Sequence, residues 1–286
     1  MGDHCPEFAL GYSGGRCCHS WCWIFAAVLK SFQFTGVFQE ALARVIYSPD
    51  YLQHQDRAKL EDTWRLVSKA LYTRKFPGIN KKIEDVILTT FFPAGQSYYY
   101  QEFRLFYTDI DIIKDLYNSY CYVQYTHRVN AKIIPTDKIG EFSWVNSYEI
   151  ESDPNSYRTV ERFEVVSPKR GVQDLTKALQ SSMNGRFEMK LKCDEEYEFT
   201  KIERRKFRLD LPNNDRELFE ITKITNGMIV HVRHSDHVKV TFIYKTGREF
   251  NTLLDEKDAG GSRHLIKEFK DVLLPSQGFC LVLGKS

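Results

Sequence analysis

The chain has 286 residues, with 40 Lys and Arg against 38 Asp and Glu, so its formal net charge is only +2. This balance argues against a protein whose main partner is nucleic acid or an anionic membrane, since such partners are usually met with a basic excess. A chain of this length can bury a substantial core, so its folding should not require metals or disulfides. The 20 Phe and 16 Tyr favour extensive β-structure.

The cysteine content favours a reducing compartment. The seven cysteines are odd in number, and four of them lie within the first 22 residues. This is a poor disulfide framework for a chain of this size. The apolar run 21–29 is far too short to span a bilayer. We therefore expect an intracellular protein, cytoplasmic or nuclear, with no membrane segment.

The first part of the chain has the pattern of helices. Ser20 is a plausible N-cap for a helix that runs to about residue 34, and a second helix fits 37–47. The pattern predicts a third helix over 56–72, in which apolar residues recur at helical spacing. These residues are Leu60, Trp64, Val67 and Leu71. Together the three segments predict a helical N-terminal unit over 1–76.

The remainder, 77–286, has the pattern of strands. Ten segments are rich in aromatic and β-branched residues, with Pro, Gly, Asn or Asp between them. They are 98–107, 120–134, 141–152, 157–166, 186–193, 198–211, 217–225, 228–234, 238–245 and 278–283.

Two helices are predicted to interrupt these strands. One covers 172–183, and the other follows Gly261, with Ser262 as its cap. The buried stripe of the second helix would be Leu265, Phe269, Val272 and Leu273. The order of elements predicts an α+β fold in two domains, a helical N-terminal unit followed by a largely antiparallel β-sheet or barrel.

The segment Cys22-Trp23-Ile24-Phe25-Ala26-Ala27-Val28 is the strongest chemical motif in the sequence. It resembles the active-site helix of the papain-like thiol proteases and, more closely, of the transglutaminases. A helix N-terminus stabilises a thiolate, which makes Cys22 a candidate nucleophile. The resemblance implies a thiol-dependent hydrolase or acyl transferase that acts on peptide or isopeptide-type bonds of a protein or peptide substrate. It implies no cofactor and no metal.

In these families a histidine on a later strand deprotonates the cysteine, and an Asn or Asp orients the imidazole. We assign these roles to His237, which opens a predicted strand, and to Asn251. The pair His231 and Asp255 is the alternative at transglutaminase-like spacing.

Two other interpretations of the cysteine segment stay open. The run around Cys22 is also typical of a helix packed into a core. A zinc site is the other alternative, but the clump lacks the two paired knuckles of structural zinc sites. Its ligands would be Cys17, Cys18, His19 and Cys22.

Two segments of the second domain resemble the tunnel-type RNA triphosphatases. They are Lys201-Ile-Glu-Arg-Arg-Lys-Phe-Arg208 and Phe219-Glu-Ile-Thr-Lys-Ile-Thr225. The resemblance implies that Arg204, Arg205 and Lys223 point into a barrel and hold phosphate oxygens.

Those enzymes bind a divalent metal through two Glu-x-Glu strands, and this chain lacks a clear match to both. One pair could be Glu149 and Glu151, and a second inward face could carry Glu188 and Lys190. The alternative function is therefore a degenerate barrel, without metal, that binds phosphate or an RNA end.

A third class is a non-enzymatic protein-interaction module. Tyrosine is enriched where an apolar face meets a polar partner. One region of the chain is dense in it, with Tyr98, Tyr99, Tyr100, Tyr117, Tyr120, Tyr122 and Tyr125.

Overall fold

The computed structural model describes residues 48, 51–52, 54–73, 78–91, 96–115, 120–147, 153, 155–182, 185–209 and 215–286. The chain divides into two units, Met1–Glu84 and Asp85–Ser286.

The predicted third helix is confirmed as α1, Arg57–Thr73. Asp56 begins it, because its Oδ1 accepts a hydrogen bond of 2.9 Å from the Lys59 amide. Helix α2, Asn80–Val86, leads into a π-helical turn, Ile87–Phe91. The predicted helices 20–34 and 37–47 lie outside the described residues. In the part of the chain that is described, no helix is both long and apolar enough to cross a membrane.

The described part of the second unit consists mainly of strands. In chain order they are β1 (Tyr98–Lys114), β2 (Cys121–Pro135), β3 (Glu141–Ser147), β4 (Tyr157–Ser167), β5 (Gly171–Asp174), β6 (Arg186–Lys192), β7 (Tyr197–Arg208), β8 (Arg216–Glu220), β9 (Thr225–His234), β10 (Val238–Lys245), β11 (Asn251–Lys257), β12 (Arg263–Leu273) and β13 (Gly278–Lys285). A short helix, α3 (Thr176–Gln180), follows β5.

Eight of these strands form one large mixed sheet, in the order β11-β12-β9-β1-β2-β7-β4-β5. The central pair β1 and β9 is parallel, and the other neighbours are antiparallel. A three-stranded sheet, β10-β13-β8, and a two-stranded sheet, β3-β6, accompany it. The predicted α+β fold is therefore wrong: the described chain is mostly β, with a small helical part, and its large sheet is not closed into a barrel.

The helix predicted after Gly261 is wrong, because this segment is strand β12. Leu265 and Phe269 are four residues apart, as are Phe269 and Leu273. A spacing of four places side chains on one face of a helix, but it is also two full periods of a strand. Backbone pairing with β9 and β11 decides for the strand.

The other predicted interrupting helix, 172–183, is helical over a shorter range. Its first residues form strand β5, and the helix α3 covers Thr176–Gln180. Asp174 Oδ1 accepts a hydrogen bond of 2.9 Å from the Thr176 amide, so a side chain of the preceding strand stabilises the first turn.

Both small sheets cover the same face of the large sheet, called the inner face below. Phe199 of β7 contacts Trp144 of β3, and Arg205, six residues further along β7, contacts Glu217 of β8. Residues separated by an even number share a face of a strand. The main core lies between the inner face and the two small sheets.

The aromatic side chains of this core interlock across the layers. Trp144 is fully buried, stacks on Phe163 at 5.6 Å, and donates a hydrogen bond of 3.1 Å from Nε1 to Tyr100 Oη. On the other side, Phe279 of β13 meets Tyr107 of β1 edge to face at 6.1 Å. The two small sheets thus pack on the inner face at two places, and a cavity lies between those places.

Candidate functional site

The cavity has a volume of about 650 Å³. Side chains on the inner face of β1, β2, β4 and β7 form its floor. The end of β3 forms one wall, and β8 with the residues that follow it forms the opposite wall. A volume in this range suits a small organic ligand.

Strand β7 places three charged residues on the inner face. Its odd-numbered residues are buried in turn: Tyr197, Phe199, Lys201, Glu203, Arg205 and Phe207. Because a strand has a period of two, the aromatic residues at both ends anchor this face in the core and hold the three charges between them. The middle of the strand is therefore charged and buried at once.

Glu203 is fully buried and accepts from three cations. Arg158 Nη2 lies 3.0 Å from its Oε2, Arg205 Nη2 lies 3.0 Å from the same oxygen, and Lys201 Nζ lies 3.0 Å from Oε1. A second carboxylate, Glu217 of β8, pairs with Arg205 Nη1. We call these five residues the charge cluster.

Among the described residues, the charge cluster combines three cations with two carboxylates, so these five side chains together carry one net positive charge. Burial opposes the ionisation of Glu203, but Lys201, His127, Arg205 and Arg158 outweigh burial and hold the pKa of Glu203 well below its usual value. The pKa of Lys201 is lowered by burial, with repulsion from the two arginines adding to it.

The cations, and not Glu203, line the cavity. Arg158, Lys201 and Arg205 are all lining residues, whereas Glu203 lies beneath them. Lys201 Nζ also contacts the wall at the end of β3, at 3.1 Å from Asn146 Oδ1 and 3.4 Å from the Ser147 carbonyl oxygen. A ligand in the cavity therefore meets three cations on the floor, while the carboxylates of Glu217 and Glu220 line the β8 wall.

His127 of β2 adds an uncharged polar group to this floor. Its ring stacks on Tyr107 with the centroids 4.6 Å apart, and its Nδ1 lies 3.6 Å from Glu203 Oε2. Burial and the neighbouring Arg205 lower the pKa of His127 to about 4, although Glu203 acts in the opposite direction. The ring is therefore neutral at pH 7.

This pKa predicts a loss of stability in mild acid. Unfolded His127 binds a proton near pH 6.5, whereas the folded residue binds it only near pH 4, so the unfolded state takes up more protons between these values. Lowering the pH from 7 to 5 should reduce the free energy of unfolding by about 2 kcal/mol through this residue. Urea denaturation at several pH values measures the change.

The variant His127→Gln isolates this contribution, because glutamine is polar and does not titrate. Its stability should depend less steeply on pH between 7 and 5 than that of the wild type. Equal slopes for wild type and His127→Gln would contradict the prediction.

Of the residues predicted to hold phosphate, only Arg205 lines the cavity. Arg204 and Arg205 are neighbours on β7 and point to opposite faces. The Arg204 side chain is 57% exposed on the outer face and pairs with Glu161 at 2.9 Å. Lys223 lies between β8 and β9, and its Nζ is 5.2 Å from the centroid of the Tyr98 ring.

The predicted carboxylate pairs do not enter the site. Glu188 and Lys190 are exposed on β6, so the expectation that they face inward is wrong. Glu149 and Glu151 lie outside the described residues. Among the residues that the structure does describe, no group of three or more His, Cys, Asp or Glu could hold a metal ion.

The thiol site stays a prediction, because Cys22 lies outside the described residues. Lys257, at the far end of β11 from Asn251, pairs with Asp236 at 2.5 Å, next to His237. Asn251 and Lys257 are six positions apart along the strand, a distance of roughly 20 Å. The structure therefore does not bring His237 and Asn251 together. Faster alkylation of Cys22 than of the other cysteines would test the nucleophile directly.

The alternative pair is also separate. Asp255 makes a bidentate pair with Arg263, and the His231 ring stacks on Phe106 at 4.5 Å. Strand β12 lies between the strands that carry His231 and Asp255. The proposed zinc ligands are outside the part of the chain that is described.

The sequence interpretation missed Lys201, Glu203, Glu217, Arg158 and His127 as site residues. The sequence does mark the first two residues. The charged residues at 201, 203 and 205 alternate in step with the aromatic residues at 197, 199 and 207, so all six are expected on the same face of the strand. Charges in phase with the core side of a strand indicate a buried polar site. The other three residues come from different strands, and no local pattern marks them.

The tyrosine-rich region contributes mainly to the core. Tyr98, Tyr100, Tyr122 and Tyr125 are buried. Tyr120 is 40% exposed, with the Arg208 guanidinium 4.2 Å from its ring centroid.

Comparison with known proteins gives no family. No family model matches the chain, and no curated protein matches it. A solved structure of a candidate protease from Parabacteroides distasonis is similar to this protein. The match covers 65% of this chain and 40% of the protease chain, with 9% identity and a TM-score of 0.37. A variant of the M1 zinc metallopeptidase from Deinococcus radiodurans is similar as well. That match covers 68% of this chain and 43% of the metallopeptidase chain, with 10% identity and a TM-score of 0.37. The chain thus spans less than half of each, and a likeness this slight assigns no function.

Proposed function

We propose that the protein binds a small organic ligand through a terminal phosphate group, in the cavity between the two small sheets. The observation that carries this proposal is the excess positive charge of the charge cluster beneath the cavity. Three buried cations held this close together repel one another, and an anion in the cavity reduces the cost of that repulsion.

Lys201 is the residue that the ligand engages first in this proposal. Among the described residues, its ammonium contacts the charged Glu203 and the neutral Asn146 and Ser147, the last at 3.4 Å. A phosphate oxygen that takes the place of the Ser147 carbonyl makes a shorter, charge-assisted hydrogen bond. The same anion opposes the repulsion from Arg158 and Arg205 and so raises the pKa of Lys201.

Phosphate suits the site because both kinds of cation are present. Guanidinium groups offer a planar fork to phosphate oxygens, and an ammonium offers a point charge. Glu203, held by all three cations, fixes their positions before a ligand arrives, and this preorganisation reduces the entropic cost of binding.

The proposal also places the protein inside the cell, because seven cysteines suit a reducing compartment. Cell fractionation would test that placement.

The test is calorimetric titration with four ligands: inorganic phosphate, a nucleoside 5′-monophosphate, a short RNA with a 5′-phosphate, and the same RNA with a 5′-hydroxyl. Phosphate-bearing ligands should bind and the 5′-hydroxyl RNA should not. Lys201→Met should weaken binding by about tenfold to a hundredfold, since a charged hydrogen bond is lost. The mononucleotide and the phosphorylated RNA distinguish a small ligand from a nucleic-acid end.

Arg204→Met is the matched control, because it removes a cation from the same strand but from the outer face. It should bind phosphate ligands like the wild type. The proposal fails when no phosphate ligand binds at millimolar concentration, or when Lys201→Met binds as tightly as Arg204→Met.

A further inference from the structure

The cavity follows the backbone edge of strand β8. Every residue of this strand, Arg216–Glu220, lines the cavity. Neighbouring side chains of a strand point in opposite directions, so side chains of one face alone would give every second residue. A cavity that meets each residue in succession therefore borders the edge of the strand, where its backbone groups lie.

This edge of β8 carries backbone groups that β13 does not use. In the described part of the chain, β8 pairs with β13 alone. The amide of Ile221 donates a hydrogen bond of 2.9 Å to the carbonyl oxygen of Gln277, directly opposite on the β13 side. Bonded and non-bonded residues alternate in an antiparallel pair, so the odd-numbered residues of β8 bond to β13. The N–H and C=O groups of Leu218 and Glu220 therefore point away from β13, along what we call the free edge.

The gap between β3 and β8 has room for one more strand. Lys201 contacts Asn146 at the end of β3, and Arg205 pairs with Glu217 of β8. These two cations are four positions apart on β7, a distance of roughly 13 Å. A strand inserted between two others needs about 10 Å, which is twice the spacing of neighbouring strands. Extended peptides bind to other proteins by adding a strand at an edge of this kind.

A strand added at the free edge would point every second side chain at the floor of the cavity. On β8 itself, Glu217 points to Arg205, and the ring of Phe219 lies 5.7 Å from that of Phe103. Side chains directly opposite these two on an added strand share their direction. The one opposite Glu217 meets the cations of the charge cluster, and the one opposite Phe219 meets Phe103 and Phe199, which also line the cavity. The floor thus complements an anionic side chain and, two positions away, an apolar one.

We propose that the ligand is a short phosphopeptide, bound in extended conformation along the free edge of β8. Its phosphorylated side chain lies over the charge cluster, and an apolar side chain two positions away packs on the phenylalanine rings. This inference rests on the proposed function, because it takes the phosphate subsite as given. It adds that the organic part of the ligand is a peptide backbone, which the N–H and C=O groups of Leu218 and Glu220 recognise.

The first experiment is calorimetry at pH 7 with a short peptide that carries phosphoserine and, two positions away, leucine. It should bind at least about tenfold more tightly than inorganic phosphate or a nucleoside 5′-monophosphate, since it adds backbone hydrogen bonds and an apolar contact. The unphosphorylated peptide, and a phosphopeptide with the leucine three positions away, should both bind more weakly. Alternate amides of a strand face opposite sides. Methylation of one alternate set should therefore weaken binding about tenfold, and methylation of the other set should not.

The second experiment changes the free edge of the protein. Leu218→Pro removes an N–H group that points away from β13, at an edge position where a strand tolerates proline. It should weaken binding of the phosphopeptide about tenfold and leave binding of inorganic phosphate unchanged. Leu218→Ala is the matched control, because it shortens the same side chain, which is 56% exposed, and keeps the amide. It should bind the phosphopeptide like the wild type.

The outcomes separate this inference from the proposed function. Equal affinity for the two methylated peptides and the unmethylated one overturns pairing at the free edge, even if Leu218→Pro does not fold. Tighter binding of the nucleotide than of the phosphopeptide overturns the ligand class while phosphate binding stands. Equal affinity for the two leucine positions overturns the apolar subsite. Failure of all phosphate ligands, inorganic phosphate included, overturns the proposed function itself.

Discussion

Replacing Glu203 with glutamine is expected to reduce the free energy of unfolding by about 3–5 kcal/mol, because it removes the carboxylate on which three buried cations converge. Arg158, Lys201 and Arg205 each lie 3.0 Å from a Glu203 oxygen. Glutamine keeps the shape of the side chain, but it has no charge, and its amide nitrogen is a donor that faces other donors. Urea denaturation at pH 7 measures the loss.

The matched control is Glu198→Gln, on the same strand. The Glu198 side chain is 65% exposed and lies 4.0 Å from Lys132, so its loss should change stability by less than about 0.5 kcal/mol. Adding Lys201→Met to Glu203→Gln should recover part of the lost stability, since one unpaired cation is removed. A loss below about 1 kcal/mol for Glu203→Gln would show that the cluster does not depend on this carboxylate.

Prediction from sequence succeeded where the local spacing of apolar residues matches the face that the element buries. The apolar residues of α1 recur at helical spacing, and Asp56 marks the start of the helix. Most of the aromatic, β-branched segments formed strands for the same reason: their alternation is satisfied by one buried face.

The fold class was wrong because strand pairing is a long-range property. The local pattern of residues 262–273 fits a helix as well as a strand. The segment forms strand β12 because it pairs with β9 on one side and with β11 on the other. Nor does any local feature indicate that β1 and β9, more than a hundred residues apart, form a parallel pair at the centre of an open sheet.

The candidate site was partly predictable. The basic segment on β7 drew attention to Arg205, which lines the cavity. The triphosphatase resemblance placed Arg204 on the same face, which the two-residue period of a strand forbids. Glu217 and His127 reach the cluster from other strands, at sequence separations of 12 and 78 from Arg205. Such convergence depends on sheet order, which the sequence alone did not determine.

Trp144→Ala is expected to cost about 3–5 kcal/mol of stability, since it empties a fully buried aromatic site. The indole packs between Phe163 and Phe199 and donates to Tyr100 Oη, which would lose its donor. Thermal or urea unfolding measures the cost. Tyr157→Ala is the control, because Tyr157 is an aromatic residue of the large sheet that is 38% exposed, and its loss should cost under half as much.

Trp144 should also affect the cavity, since the wall at the end of β3 begins at the next residue, Val145. Loosening β3 would move Asn146 and Ser147 away from Lys201, whose ammonium contacts both. The folded variant should bind phosphate more weakly than the wild type, because the Lys201 ammonium loses the Asn146 acceptor that holds it in place. Calorimetry at a temperature where Trp144→Ala is fully folded measures this effect separately from stability. Wild-type affinity in that variant would mean that the β3 wall does not shape the site.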